Sequence, residues 1–501
     1  GRGVELVEED RIRGDEAAVD PVGADAVGHV VEARLLDVLL GESGGEEVFA
    51  EVAQQAASAA PPVGRPNIVF LLADDLGYGD LHCYGREDVR TPSIDRLAVE
   101  GVRFTQAYAN GPECIPTRAG LLTGRYQHRV GGLECAIGTG NVGRYDDAIR
   151  LRQNHDLGLP VSETSIAQMV KDAGYVTGLV GKWHLGYEDK FAPHLHGFDY
   201  SFYALGGGLD YFHHVELPES GVVNHVLRLN GQPVRREGYF TDLVTDEAVR
   251  FIRQHAADRF FLYVAYTAPH APYQSPQDFT SQPLPRDSSL QDQSRGPRAT
   301  YVAMIERLDQ GVGQILQAVH DLGLANNTVV VFMSDNGATK SGSNGPLAGY
   351  KGSTFEGGIR VPAIVRWPAQ IPRGLVSEQV CITMDFSRSI VRLASAKPPA
   401  RRSFDGIDIL ERIQAGRPVE PRLLFWRQRR GDNTWWAVRD GSLKLIRHAK
   451  GAAIEEHLFD LVRDPGEQQD LRDIRPHDVK RLATRLAEWE DDVKPARGRA
   501  P

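Results

Sequence analysis

The order of apolar segments predicts an α/β fold: a large mixed, mostly parallel sheet flanked by helices, plus a small C-terminal antiparallel sheet with a packed helix. Three observations carry this. Continuous apolar runs of strand length alternate with segments of helical periodicity. Short candidate strands separated by turn signals occur only after Pro398. The 501-residue chain is also too long for one ordinary compact core, so two folded parts are expected, a catalytic domain over 64–397 and a subdomain over 398–501.

The elements follow in order. Asn67–Ala73 (NIVFLLA) reads as a strand buried on both faces. Thr91 and Pro92 open a helix, a cap followed by proline at the first helical position. Helices are expected at 117–123, 163–173, 241–255 and 299–322, and apolar strands at 176–180, 260–266, 329–333 and 361–367. In the C-terminal part, strands are expected at 423–426, 435–439 and 443–447, with an amphipathic helix over 477–493 packed on them.

Composition narrows the class of function. Hydrophobic residues make up 41% and charged residues 25%, as in soluble globular proteins, and no apolar run is long enough to span a bilayer. The net charge of −10 sits wholly in residues 1–62, which hold 14 acidic and 4 basic residues and leave 53 of each sign in the remainder. This balance gives no support to nucleic-acid binding. Residues 1–63 form an acidic extension without lysine, tyrosine or tryptophan, expected to be mostly disordered, with a loose helix around 31–40. No secretory signal is readable in it. Four widely spaced cysteines, Cys83, Cys114, Cys135 and Cys381, suit neither a disulfide scaffold nor a zinc knuckle.

Rare polar groups sit where the strands end, which is where open α/β sheets bind ligands. The first run ends in Asp74 and Asp75, adjacent carboxylates that are costly when buried unless a cation neutralises them. The run VVVFMSDNG ends in Asp335 and Asn336. Together these offer three carboxylates and an amide carbonyl, a set suited to Ca²⁺ or Mg²⁺. Lys182 and His184 follow a third strand and, in extended geometry, would point the same way, able to bind an anion and move a proton. His270 follows a fourth strand between Pro269 and Pro272, and Lys351 lies in a Gly-rich loop. Singly, a solvated turn explains either acid pair equally well, and a chance Lys-x-His, a loop histidine or a mobile surface lysine is the better explanation of the others.

The segment from Cys114 through Pro116 and Arg118, continued by Leu121, Leu122, Thr123, Gly124 and Arg125, resembles the sulfatase signature, Cys-x-Pro-x-Arg followed by an apolar pair and Thr-Gly-Arg. The other clusters match that family in order, from about Pro66 to Pro368, with a weaker match from Trp436 to Asp460. The resemblance implies an alkaline-phosphatase-like fold and hydrolysis of sulfate esters. It implies that Cys114 is oxidised to formylglycine (3-oxoalanine) by a formylglycine-generating or anaerobic sulfatase-maturating enzyme. It assigns Asp74, Asp75, Asp335, Asn336 and the modified Cys114 to one divalent cation, Ca²⁺ before Mg²⁺, and Arg118, Lys182, His184, His270 and Lys351 to sulfate binding and catalysis. Periplasmic or secreted localisation is also implied. Glu113 and Ile115 depart from the residues usual beside the cysteine.

The segment from Gly132 to Arg150 resembles bacterial arylsulfatase-like enzymes and N-acetylgalactosamine-6-sulfatases, so an aryl sulfate or a sulfated carbohydrate is the expected substrate. The loop from Gly206 to His214 is a candidate pocket wall for a sugar or aryl ring. In the implied mechanism, one hydroxyl of the hydrated aldehyde attacks sulfur, His270 or Lys351 protonates the alcohol, and His184 deprotonates the second hydroxyl to expel sulfate. The alternatives are a phosphatase or phosphonate monoester hydrolase of the same superfamily, and a non-catalytic glycan-binding relative.

Overall fold

The computed structural model describes residues 64–216, 224–400 and 402–495. The extension over 1–63 and its expected helix at 31–40 lie outside the described residues. The main sheet has ten strands: β1 Asn67–Ala73, β2 Val102–Phe104, β3 Val176–Lys182, β4 Tyr200–Ala204, β5 Leu227–Leu229, β6 Gln232–Pro233, β7 Phe260–Ala265, β8 Thr328–Ser334, β9 Ala363–Arg366 and β10 Leu375–Ser377. Their order is β10-β2-β9-β8-β1-β7-β3-β4-β5-β6. The central five, β8 to β4, run parallel, while β9 and β5 pair antiparallel at either side. The sheet is therefore mixed and mostly parallel, as its continuous apolar strands predict.

Alternation along β1 divides the core into two layers. Ile68, Phe70 and Leu72 face helices α2 Cys114–Thr123, α3 Ile166–Asp172 and α6 Thr383–Leu393. Val69, Leu71 and Ala73 face α1 Pro92–Val99, α4 Phe240–Gln254 and α5 Arg298–Asp321. Every residue of α2 is buried, including the polar Thr117, Arg118 and Thr123. Pro116 sits in its first turn, where a missing N–H costs nothing, and Gly124 closes it with a left-handed φ of 67°.

One buried acid joins two helices of this core. Thr91, the N-cap of α1, makes no side-chain cap bond. Asp309 of α5 instead accepts from Ser93 N at 3.1 Å and Ile94 N at 2.8 Å. Burial raises the Asp309 carboxyl to about 6, despite these bonds. Between the ordinary carboxyl range and that value the native state holds the extra proton, so this group's contribution falls as pH rises through about 6. We expect Asp309→Asn to remove up to about 2 kcal/mol of that pH dependence, read as the change in urea midpoint between pH 4.5 and pH 7.5. An unchanged slope would show that Asp309 does not titrate as described.

The C-terminal sheet has four antiparallel strands in sequence order, β11 Leu423–Arg430, β12 Asn433–Asp440, β13 Leu443–Lys450 and β14 Ala453–Asp460, with α7 Pro476–Asp492 against it. Trp489 of α7 stacks on Phe425, 5.1 Å between centroids. Trp426 donates from Nε1 to Ala109 O at 2.8 Å, tying this sheet to the residues just before α2. The sequence reading finds three of these strands and misses β14. Its alternation is masked by Glu455 and Glu456 on a solvent-exposed edge, where charges discourage further pairing. Among the described residues, no helix is long and apolar enough to cross a membrane.

Candidate active site

Four neighbouring parallel strands bring the polar clusters to one edge of the sheet. The order β8-β1-β7-β3, with Ala73 opposite Ser334, Leu72 opposite Ala265 and Ala265 opposite Gly181, aligns the carboxyl ends within about one residue. Asp335 and Asn336, Asp74 and Asp75, His270, and Lys182 therefore converge although they lie far apart in the chain. Helix α2 adds Cys114 and Arg118 from one side, and the loop before residue 356 adds Lys351.

The contacts form a closed buried network. Cys114 Sγ donates to Asp74 Oδ1 at 3.3 Å. Lys182 Nζ pairs with Asp74 Oδ2. Arg118 donates to Asp335 Oδ2 from Nη2 at 2.8 Å and from Nε at 3.1 Å, and approaches Asp74 at 3.7 Å. Lys351 Nζ lies 2.8 Å from Asp75, and Asn336 Nδ2 donates to Asp75 Oδ1 at 2.8 Å. Three carboxylates thus face three cations, the pairing that makes such burial tolerable.

Electrostatics separates the groups. Burial raises the Asp75 carboxyl, but Lys351 and His270 outweigh it and hold it at about 2. Burial and the Asp74 carboxylate push Asp335 up to about 6 against the pull of Arg118. The Cys114 thiol is pushed well above its ordinary range by burial and by Asp74, so it is a poor nucleophile as a thiol. Burial, then Lys182, drives His184 well below the usual imidazole range, and burial, then Lys351, lowers His270 to about 3. Both rings are neutral at pH 7. Carbonyls fix their tautomers: Ile137 O accepts from His184 Nε2 at 3.0 Å, and Ala271 O accepts from His270 Nδ1. The acceptor nitrogens are therefore His184 Nδ1, which has no partner, and His270 Nε2, which Gln293 Nε2 approaches at 3.5 Å.

The donor set fits a hard cation. Ligand atoms of Asp74, Asp75, Cys114 and His270 lie within 4.8 Å of one another. Asn336 Oδ1 is buried with no hydrogen-bond partner, an acceptor left over for a cation. His270 joins this cluster, a position the sequence did not indicate. Asp335 lies beside Asp74 and Asp75, where it accepts from Arg118 and from Asp75 N at 3.3 Å.

Lys182 and His184 reach the site, but not through the extended backbone expected. His184 has a left-handed φ of 54°, as does Asp75 at 63°, and such local strain is common where side chains must be aimed. Gly207 makes room for the ring: a Cβ there would stand 2.6 Å from His184 Cε1. The network opens onto a cavity of about 770 Å³, lined by Cys114, His184, His270 and Lys351. The loop over 206–214 contributes only its first half, Gly207 to Asp210. Its aromatic end turns away: Phe212 packs on Tyr239 and Phe279, His213 meets Thr280 O, and His214 meets Gly238 O.

Other lining residues escaped the sequence reading. Glu113 is buried, accepting from Ala136 N at 2.6 Å and Gln428 Nε2 at 2.8 Å. Glu216 accepts from Tyr187 at 2.9 Å, and burial raises it to about 7. Arg144 and Arg430 line the wall beside them. These come from separate segments and share no motif, so only their convergence marks them.

A family model described as sulfatase matches residues 66–396, and one described as N-sulphoglucosamine sulphohydrolase, C-terminal, matches 350–492. The chain is 35% identical to an N-acetylgalactosamine-6-sulfatase of Rattus norvegicus over 460 residues, covering 83% of each. It is 31% identical to a steryl-sulfatase of Mus musculus, covering 88% of this chain and 82% of that one. Among solved structures it resembles Ps i-CgsB in complex with k-i-k-neocarrahexaose, with a TM-score of 0.73, 30% identity, and 86% and 94% of the two chains covered. A phosphonate monoester hydrolase of Agrobacterium radiobacter shares the fold, with a TM-score of 0.60 and 20% identity.

Proposed function

The chain belongs to the sulfatase family and is a sulfuric ester hydrolase, and from that premise we propose that it cuts sulfated carbohydrates with a formylglycine made from Cys114. The observation that carries this reading is the placement of Cys114 at the centre of the buried network, within reach of Asp74 and open to the cavity. A thiol held well above its ordinary pKa has little nucleophilic use there, whereas an aldehyde would not depend on ionising sulfur. Oxidation by a maturating enzyme is the partner step this requires.

Asp74, Asp75, Asp335, Asn336 and the modified residue would hold one divalent cation, calcium in preference to magnesium, with His270 beside them. When bound, the cation supplies charge stabilisation and acidifies a hydroxyl. Lys182, Lys351 and Arg118 supply fixed positive charge for the sulfate oxygens. Attack by one hydroxyl of the hydrated aldehyde forms an S–O bond as the ester S–O bond breaks. Lys351 is better placed than His270 to protonate the departing alcohol. Its ammonium stays charged, held high by Asp75 although burial opposes this, whereas the His270 Nδ1–H is spent on Ala271 O. His184 Nδ1, buried without a partner, then takes the proton of the second hydroxyl, so that C=O reforms and sulfate leaves.

The lining favours a hydroxylated, charged substrate. Arg144, Asp210, Glu216 and Arg430 suit the hydroxyls and charges of a sulfated sugar. The names of the N-acetylgalactosamine-6-sulfatase relatives and the neocarrahexaose complex support the same class. Turnover of an aryl sulfate and an aryl phosphate by one preparation tests the reaction. We expect the sulfate to be favoured at least about 100-fold, and chelation to abolish turnover until Ca²⁺ is returned, because one lost electrostatic donor alone costs about 10²–10³-fold. Chelation should also lower the thermal midpoint, since three buried carboxylates lose a counterion. Preference for phosphate, or chelator-resistant turnover, would defeat this reading.

A further inference from the structure

The sulfate-binding network uses Arg118, Lys182 and Lys351, yet three more guanidiniums line the same cavity, Arg144, Arg286 and Arg430, and the first and last of these lie on segments that touch. Arg144 follows a tight turn closed by a Gly138–Val142 bridge, and a Cβ on Gly138 would stand 3.2 Å from Arg144 Nε. Arg430 ends β11 of the C-terminal sheet. A backbone bond from Gly431 N to Arg144 O, 2.8 Å, ties the two segments together.

Neither Arg144 nor Arg430 is held by several carboxylates as Arg429 is. Arg429 is held by Asp146 at 3.1 Å, Asp147 at 2.6 Å and Glu134 at 3.2 Å, on the other face of the strand. Arg144 forms no ion pair among the described residues. The closest carboxylate to Arg430 is Glu113 at 3.6 Å, already engaged by Gln428 and Ala136 N. The other acids of the cavity bond to groups other than these arginines: Asp210 accepts from Phe212 N, His213 N and Leu284 N, and Glu216 from Tyr187. Outside residues 1–62 the chain is charge-balanced, so this excess is local. Two like charges on one wall are unfavourable until an anion joins them, and a guanidinium pair matches a planar or tetrahedral oxyanion through paired N–H donors.

We propose that Arg144 and Arg430 form a second oxyanion subsite, which reads a carboxylate or a second sulfate on the substrate beside the ester that is cut. This rests on the sulfatase reading above and deepens it, from a sulfated sugar to a sugar with a further negative charge.

The test compares kcat/KM for paired substrates. One arm uses a uronate-linked N-acetylgalactosamine 6-sulfate disaccharide and its uronate methyl ester. The other uses N-acetylgalactosamine 4,6-disulfate and the 6-sulfate. We expect the more anionic member of one pair to be favoured by about 10-fold or more, chiefly through KM, with the preference shrinking as salt is raised. The arm that shows it assigns carboxylate or sulfate. In the Arg144→Gln/Arg430→Gln double variant the ratio should fall to near one. No preference in either arm, or a preference the double variant keeps, overturns the subsite. Hydrolysis of 4-nitrophenyl sulfate separates the two levels. If wild-type protein cuts neither it nor any of the sulfated sugars, the reaction assignment falls and the subsite with it; if it cuts the sugars and the ratios are one, only the subsite falls.

Discussion

Replacing Cys114 with serine is expected to leave a folded protein that reacts once and stops. Position 114 is buried and serine is smaller than cysteine, so the packing around α2 tolerates the change. The serine hydroxyl can attack sulfur from near Asp74, as one hydroxyl of the aldehyde hydrate would. It has no second hydroxyl, so no C=O can form to expel sulfate, and the enzyme remains as a serine sulfate ester. Steady turnover should fall by at least about 10⁴-fold, the scale on which losing a nucleophile is felt. Intact-protein mass should show one added sulfate per chain after exposure to 4-nitrophenyl sulfate. Sustained turnover near the wild-type rate, with no mass increase, would sink the formylglycine mechanism. In wild-type protein the peptide carrying Cys114 should have the mass of an aldehyde and not of a thiol.

The largest effect on stability should come from Lys444→Met. Lys444 Nζ lies 2.9 Å from Glu356 and 2.8 Å from Glu467, with all three side chains fully buried. Arg360 also pairs with Glu356, at 3.4 Å, and Tyr108 donates to Glu356 at 2.6 Å. Lys444 belongs to β13 and Glu356 to the short helix Glu356–Ile359, which follows the loop of Lys351. Removing one partner of a buried pair typically costs about 3–5 kcal/mol, because the other charge is stranded. Burial already raises Glu467 to about 7, so it can partly escape by taking a proton. The cost should accordingly be smaller at pH 5.5 than at pH 8, where the carboxylate must ionise. Urea unfolding followed by tryptophan fluorescence measures this. Adding Glu467→Gln to Lys444→Met should restore part of the loss, a coupling that independent sites would not show. Additive effects, or a loss under 1 kcal/mol, would mean that the cluster does not act as a unit.

Much of this molecule was legible in its sequence. The central strands announced themselves because strands buried on both faces are largely apolar, as β1, β3, β7 and β8 are. The residues after them stood out for the opposite reason, since charge following a core strand is costly without a purpose. Elements with mixed composition were harder to see. Helix α6, TMDFSRSIVRL, buries Asp385, whose carboxylate accepts from Ile382 N at 2.9 Å and Ile407 N at 2.8 Å, so its polar residues do not mark an exposed face. The edge strand β14 shows its charges to solvent and hides its alternation.

Within the site, the sequence by itself determined which chemistry is present, because Cys114, Arg118 and the strand-end acids lie in local patterns. Only the tertiary structure decided how those groups share their bonds. It gives Asp335 to Arg118, leaves Asn336 Oδ1 and His184 Nδ1 without partners, and brings His270 to the acid cluster. It also turns the aromatic end of the loop over 206–214 away from the cavity and puts Arg144 beside the end of β11. The physical reason is range. A strand followed by an acid is encoded by adjacent residues, whereas a cavity wall is assembled from distant segments whose meeting depends on the packing of the whole core.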